Sequence, residues 1–297
     1  MRPGRSDDLP ALLELWRAEV RAGRRDSVPG DIHLSRMLAG FDWEAKSRIL
    51  ESSSGALQGA ILLSSRPTPL GTVTQIDASV ADGAEPDQQL DLMRWGVGLS
   101  RAAGAIAVQV WCARGHGDGP DQLGMERVRP WWRMDRNLES ELPELAAVTG
   151  YELRDGNLVA SGVWSLVHNR AFAEHWRFSP RSEDELMAGR PPSLSLLAVT
   201  PAGSPASVTL CQIETYTADP RPQPVGIVGS VGTLPEHRRR GLANWLVAEA
   251  LRRLRHGGAR HASLYVDGWN QTRAFDGYRK LGFELAFEAE VWEATFR

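Results

Sequence analysis

Apolar and polar positions along the chain recur with two periods, one of two residues and one near 3.6, and each change of period marks an element. In the first half, helical spacing predicts helices over 8–22 and 34–38, and alternation predicts strands over 48–53, 57–65 and 71–80. A longer helix over 87–103 then leads into a buried strand at 105–112. The second half repeats the order: a short strand near Tyr151, helices over 162–175 and 182–188, and strands over 194–200, 207–217 and 225–233. A helix over 242–255, a strand over 262–266, a helix over 272–281 and closing strands from Phe283 complete it. Strands in runs with helices at set places indicate an α+β fold built on a mixed sheet.

The halves echo each other in sequence. A helix end, a glycine stop and a buried strand occur at 99–110 and again at 254–266. Leu-Gly-Met-Glu at 123–126 answers Leu-Gly-Phe-Glu at 281–284, each ahead of an aromatic, alternating segment. One supersecondary unit used twice accounts for this, and at 297 residues the chain has room for two cores. The expected division is 1–148 and 149–297, near Asp155-Gly156-Asn157. Proline cannot donate to a ladder, so Arg66-Pro67-Thr68-Pro69 and the proline-rich 219–224 are expected loops.

Composition removes several classes. With 42% hydrophobic and 24% charged residues the chain is not disordered. A net charge of -3 and a pI near 6.2 give no excess positive charge for phosphate backbones, so no nucleic-acid partner is expected. Cys112 and Cys211 are too few for a disulfide framework or a cysteine zinc site. His168 and His175 share a helix face without a third ligand, so no metal is expected. The longest nearly apolar run, 102–113, falls short of the roughly 20 residues of a membrane span. A cytoplasmic protein is the expectation.

The most informative stretch is 225–243, where a β-branched strand meets the basic turn Glu236-His237-Arg238-Arg239-Arg240-Gly241 and opens a helix at Leu242-Ala243. A helix start offers unpaired N–H groups and a positive dipole end to phosphate oxygens. Gly241 and Ala243 let a pyrophosphate approach, and Arg238, Arg239 and Arg240 add forked donors.

The spacing Arg238-x-x-Gly241-x-Ala243 after a strand resembles the acyl-coenzyme A loop of the GNAT superfamily of N-acyltransferases, and Asn270 followed by Tyr278-Arg-Lys-Leu-Gly-Phe283 resembles its second signature. The tandem layout is similar to that of the mycothiol synthase group. This resemblance implies two tandem GNAT-like domains, acetyl-CoA as acyl donor and a small-molecule amine as acceptor. It implies that Val231, Gly232 and Thr233 present strand N–H groups to the thioester, that Leu242 and its neighbours in the loop hold the cofactor, and that Tyr278 is the general acid. From 266 to 278 the chain is one residue longer than the family spacing, so Asn270 or Gln271 fills the asparagine role. Strand 225–233 carries no carboxylate, unlike many members.

Alternation places Glu214 and Tyr216 on one face of the preceding strand, which makes Glu214 the candidate base, with deprotonation of the amine through water as the alternative. In the first half the matching turn holds Asp82, Glu85 and Asp87 and no arginine, so that domain is expected to be degenerate, its acids serving to cap a helix. Trp131 and Trp132 are expected on an edge strand. Two rival classes stand beside N-acetyl transfer: a non-catalytic acyl-CoA binder, and aminoacyl-tRNA-dependent transfer, which the loop and the acidic pI disfavour.

Overall fold

Each change of hydrophobic period becomes an element. In the computed structural model, which describes residues 1–216, 221–269 and 273–296, the chain begins with β1 (Arg2–Pro3), α1 (Leu9–Arg21), α2 (Asp31–Leu38) and α3 (Trp43–Lys46). It continues through β2 (Ser47–Glu51), β3 (Leu57–Thr68), β4 (Gly71–Val80), α4 (Pro86–Ala102), β5 (Ala107–Ala113), α5 (Asp118–Gln122) and β6 (Glu126–Asn137). The later half holds β7 (Glu152–Asp155), α6 (Val163–Phe172), α7 (Glu183–Met187), β8 (Leu196–Val199), β9 (Pro205–Glu214) and β10 (Val225–Thr233). It closes with α8 (Leu242–His256), β11 (His261–Asp267), α9 (Ala274–Lys280) and β12 (Glu284–Thr295). The strands expected at 71–80 and 225–233 have those limits.

Two compact units result, and they are not the contiguous halves 1–148 and 149–297. Unit 1 takes Met1–Trp131 together with the segment from Phe287, and unit 2 takes Trp132–Thr215 and the later segment as far as Ala286. In unit 1 the strand order is β1-β2-β3-β4-β5-β12. There β12 runs antiparallel to β5, from Thr295 opposite Ala107 to Ala289 opposite Ala113. In unit 2 the order is β7-β8-β9-β10-β11, with the second half of β6 beside β11. There Ser263 Oγ donates to Asp135 Oδ1 at 2.6 Å and Leu138 N–H donates to the Arg260 carbonyl at 3.0 Å. Alternation specifies a strand but not its neighbour, so the placement of each repeat's closing strand was invisible in the sequence.

Two further expectations are corrected. Pro67 is not in a loop: β3 runs on to Thr68, with Pro67 opposite Thr72 of β4. Its missing N–H is tolerated because β2 begins at Ser47, opposite Leu62, and its pairing with β3 does not extend to Pro67. Nor is β6 an edge strand, since it neighbours β12 and β11.

Within unit 2 the sheet is covered on both faces. On one side α8 lays down Leu242, Trp245, Leu246, Ala250, Leu251 and Leu254, at i, i+3, i+4 spacing, against Cys211, Val228, Ala262 and Leu264. On the other, Trp164 and Val167 of α6 and Leu186 of α7 meet Leu197, Val208 and Leu210. In unit 1 the corresponding faces are packed by α4, through Leu92 and Met93, and by α1, through Leu12 and Trp16.

Burial on α6 has a pH consequence. His168 is 8% exposed and stacks on Phe172 at 4.7 Å, and burial pushes its imidazole pKa down to about 4. An unfolded histidine titrates near 6.5, so between those values the unfolded chain takes a proton that the folded chain refuses. Stability is therefore full above about pH 6.5 and falls as pH drops, by about 2–3 kcal/mol at pH 4.5. Denaturant titrations at pH 7.5 and 4.5 should show that loss in the wild type and a loss smaller by this amount in His168→Phe; equal acid sensitivity of the two would refute it.

Candidate active site

Strands β10 and β11 part inside unit 2. They pair in parallel from Val225 with His261 to Val228 with Leu264, and the pairing stops there although β10 runs to Thr233 and β11 to Asp267. The cause is a register shift in β10 between Val228 and Ser230, beyond which Ser230–Thr233 stay paired with β9 alone. In an antiparallel pair, alternate residues turn both N–H and C=O to the same side, so half of Ser230–Thr233 aim theirs into the gap that β11 has left. Val231, Gly232 and Thr233 thus occupy the stretch expected to meet the thioester.

Gly232 is required where it stands. A Cβ on it would lie 2.8 Å from Phe172 Cε2 and 3.0 Å from Ala171 Cβ, because the end of α6 rests on this strand. The Gly232 carbonyl accepts from Ser207 Oγ at 3.0 Å.

The basic turn closes the end of β10. Arg239 and Gly241 adopt positive φ, 62° and 85°, and Gly241 is the N-cap of α8 without any side-chain cap. The first bond of the helix is Trp245 N–H to the Gly241 carbonyl at 3.0 Å, so the amides of Leu242, Ala243 and Asn244 precede it without helical acceptors. The arginines divide their labour. Arg238 turns inward: Nη1 donates to Glu174 at 3.0 Å, Nη2 to the Ala171 carbonyl at 3.1 Å and Nε to the Thr233 carbonyl at 3.3 Å. It ties the turn to α6. Arg239 and Arg240 are exposed, with Arg240 holding only a 3.4 Å bond to the Glu236 carbonyl. Glu236, the one acid of the turn, is paired with Arg170 at 3.0 Å. His237 Nδ1 meets Tyr151 Oη at 2.9 Å, which anchors the turn to the residue just ahead of β7.

Helix α9 brings Tyr278 to the same end. A Cβ on Gly277 would fall 2.7 Å from Asn244 Oδ1 in the first turn of α8, so the two helices approach closely there. Tyr278 is half-buried against the α8 side of the core, edge-on to Phe283 at 6.2 Å, and burial pushes its phenol pKa up to about 12. It stays protonated through the physiological range. Asn270 lies outside the described residues, as does Gln271.

The opposite face, under α6, carries different chemistry. Glu214 is 2% exposed and accepts from Gln212 Nε2 at 2.5 Å. Ile213 between them points to the α8 side, where its Cδ1 comes within 2.9 Å of a Cβ built on Gly257. Glu214 faces Val225, three residues before the last β10–β11 pair, or about 10 Å along the strand from the parting. The structure therefore gathers the turn, strand 231–233 and Tyr278 at one end, and sets Glu214 back from them. Sequence reasoning missed Gln212 and also Arg190, whose guanidinium sits 3.0 Å from a Cβ on Gly229 at the parting. A polar residue at an inward position of a buried strand was the available signal for Gln212.

Unit 1 has the same parting without the same chemistry. Its β4 and β5 pair only from Val73 with Ala107 to Ile76 with Val110. Beyond it, Asp77 is bonded by Arg25, which also donates to Ser79 Oγ at 2.9 Å and to Glu19 at 2.9 Å and stacks over Trp16. Glu19 is 6% exposed, and burial raises its pKa. The α4 start has acids and no arginine; Glu85 caps nothing through its side chain, and Asp82 pairs with Arg24 at 2.7 Å. No helix among the described residues is long and apolar enough to cross a membrane.

Residues 215–293 match the family model described as FR47-like protein. Over 292 residues, 93% of this chain and 91% of the relative, the sequence is 28% identical to a mycothiol acetyltransferase of Salinispora arenicola. A mycothiol acetyltransferase of Kytococcus sedentarius is 32% identical over 192 residues, 59% of this chain and 61% of that one. Among solved structures, a GCN5-related N-acetyltransferase from Sphaerobacter thermophilus superposes with a TM-score of 0.79 at 20% identity, covering 100% of this chain and 95% of its own. A tandem GNAT protein from the clavulanic acid biosynthesis pathway gives 0.69 at 17% identity, with 99% and 97% covered. The structural likenesses carry the fold.

Proposed function

From a chain that carries the GNAT fold in tandem, with an FR47-like domain over residues 215–293, we propose an acetyl-CoA-dependent N-acetyltransferase whose working site lies in unit 2. The observation that carries this reading is the parting of β10 and β11 after Val228 and Leu264 beside an uncapped, arginine-flanked start of α8. Together they suit a pyrophosphate joined to a narrow arm that completes the strand's hydrogen bonds. Amides at Leu242–Asn244 and the side chains of Arg239 and Arg240 hold phosphate oxygens. Strand N–H groups within Ser230–Thr233 bind the arm and polarise the carbonyl.

Acetyl-CoA supplies a thioester whose carbonyl carbon forms a bond to the amine nitrogen of a small molecule while its C–S bond breaks. Tyr278 donates its phenolic proton to the departing sulfur. Glu214 receives the proton released by the amine, through intervening hydrogen-bonded groups because it stands back from the parting. Unit 1 binds no acyl-CoA: Arg25 and its partners fill the face of its strand parting, and its helix start lacks arginine.

Titration calorimetry with acetyl-CoA tests this directly. One site per chain is the expected result; no binding would sink the acetyltransferase reading, and two sites would return unit 1 to work.

A further inference from the structure

Gln212 lies on the α6 face of β9, directly across from Ile227, which is one residue before the last β10–β11 pair. It is 4% exposed. Its Nε2 donates to Glu214 Oε1 at 2.5 Å, and that bond decides which end of the amide is which, because a carboxylate accepts from N–H and has nothing to give a carbonyl oxygen. Oε1 is therefore the end of the amide that Glu214 does not hold, on the strand face that Gln212 shares with Leu210, whose partner across the strands is Ser230 beyond the bulge. It is buried, with no hydrogen-bond partner among the described residues. Buried carbonyl oxygens almost always have a donor. This one lies beside a strand parting where a donor-bearing molecule must arrive.

We propose that Gln212 anchors the acceptor: its carbonyl oxygen takes a hydrogen bond from an N–H of the incoming primary amine while its amide N–H holds the Glu214 carboxylate. Gln212 thereby spans the distance that separates Glu214 from the parting. Ile227, opposite, offers no competing polar group. The guanidinium of Arg190 against Gly229 places positive charge at the same mouth and works against an ammonium ion, so the site favours the uncharged amine, the form able to attack. A primary amine can give one N–H to the Gln212 oxygen and still release a proton from another, whereas an alcohol has a single O–H for both purposes. The inference rests on the N-acetyltransferase reading above.

The test uses the full chain, acetyl-CoA, and glucosamine and ethanolamine as amine probes, with release of free thiol as the readout. Gln212→Met, similar in length but without the acceptor oxygen, should raise KM for both amines at least tenfold and leave acetyl-CoA affinity within twofold. Gln212→Glu, whose carboxyl must share one proton with Glu214 and so keeps both a donor toward it and an acceptor oxygen, should stay within threefold of the wild-type amine KM. An unchanged amine KM in Gln212→Met, a fall in kcat alone, or equal losses in both variants would overturn the proposal. If melting shows Gln212→Met to be unfolded, Gln212→Glu decides alone, a tenfold rise in its amine KM counting against the anchor. Wild type that binds acetyl-CoA yet turns over neither amine also overturns the anchor. Wild type that fails to bind acetyl-CoA overturns instead the reading on which it rests.

Discussion

Tyr278→Phe should lower kcat by about 10²- to 10⁴-fold, the usual worth of a positioned general acid, while acetyl-CoA affinity stays within twofold. The separation follows from geometry. The phosphate-binding groups belong to the turn 238–241 and the first amides of α8, whereas Tyr278 reaches the site from α9, which closes on α8 through Gly277 and Asn244. Removing one hydroxyl leaves the ring, its contact with Phe283 and the helix approach in place. Burial that pushes the phenol up to about 12 also fixes a pH signature. An acid must be protonated to act, and a raised pKa keeps it so to higher pH. No loss of kcat traceable to this residue is therefore expected below about pH 11, where an ordinary tyrosine near 10 would already show one. Steady-state rates of both proteins from pH 6 to 10.5 give the answer. A variant within threefold of wild type across that range would remove Tyr278 from the chemistry.

Reversing the charges of Arg239 and Arg240 together to glutamate should weaken acetyl-CoA binding by at least about 100-fold. Two charge-assisted hydrogen bonds to phosphate, at about 1.5 kcal/mol each, already account for that loss before any repulsion is added. Both side chains are exposed, and Arg240 makes only a 3.4 Å bond to the Glu236 carbonyl, so the fold should keep its melting temperature. Arg238 behaves differently. Its three bonds to Glu174, Ala171 and Thr233 brace the turn, so Arg238→Met is expected to act on stability as well as on affinity. Calorimetric titration at two salt concentrations separates the effects: the wild-type affinity should fall with added salt, whereas that of the double variant should hold or rise as its repulsion of the phosphates is screened. A double variant within threefold of wild-type affinity would show that the turn does not hold phosphate.

Much of this was legible in one dimension, for physical reasons that can be named. Strand and helix periods depend on which face is buried, so β4, β10 and α8 could be placed from apolar spacing alone. The phosphate turn was readable because its function is local. Gly241 at φ 85° and the free amides after it lie within a few residues of the arginines they work with. The acids of the matching turn in unit 1 announced a different role in the same way.

What the sequence by itself determined, then, is the repeated supersecondary unit, the limits of its main strands and the identity of the turn that suits a pyrophosphate. Only the tertiary structure decided which strands are neighbours, and so that β12 serves unit 1. It alone turned Arg238 inward, put Pro67 where a neighbouring strand had ended, buried Glu214 and left one oxygen of Gln212 without a donor among the described residues. Each of these depends on what a residue distant in the chain brings to a side chain, and the spacing of neighbours along a strand carries no information about that.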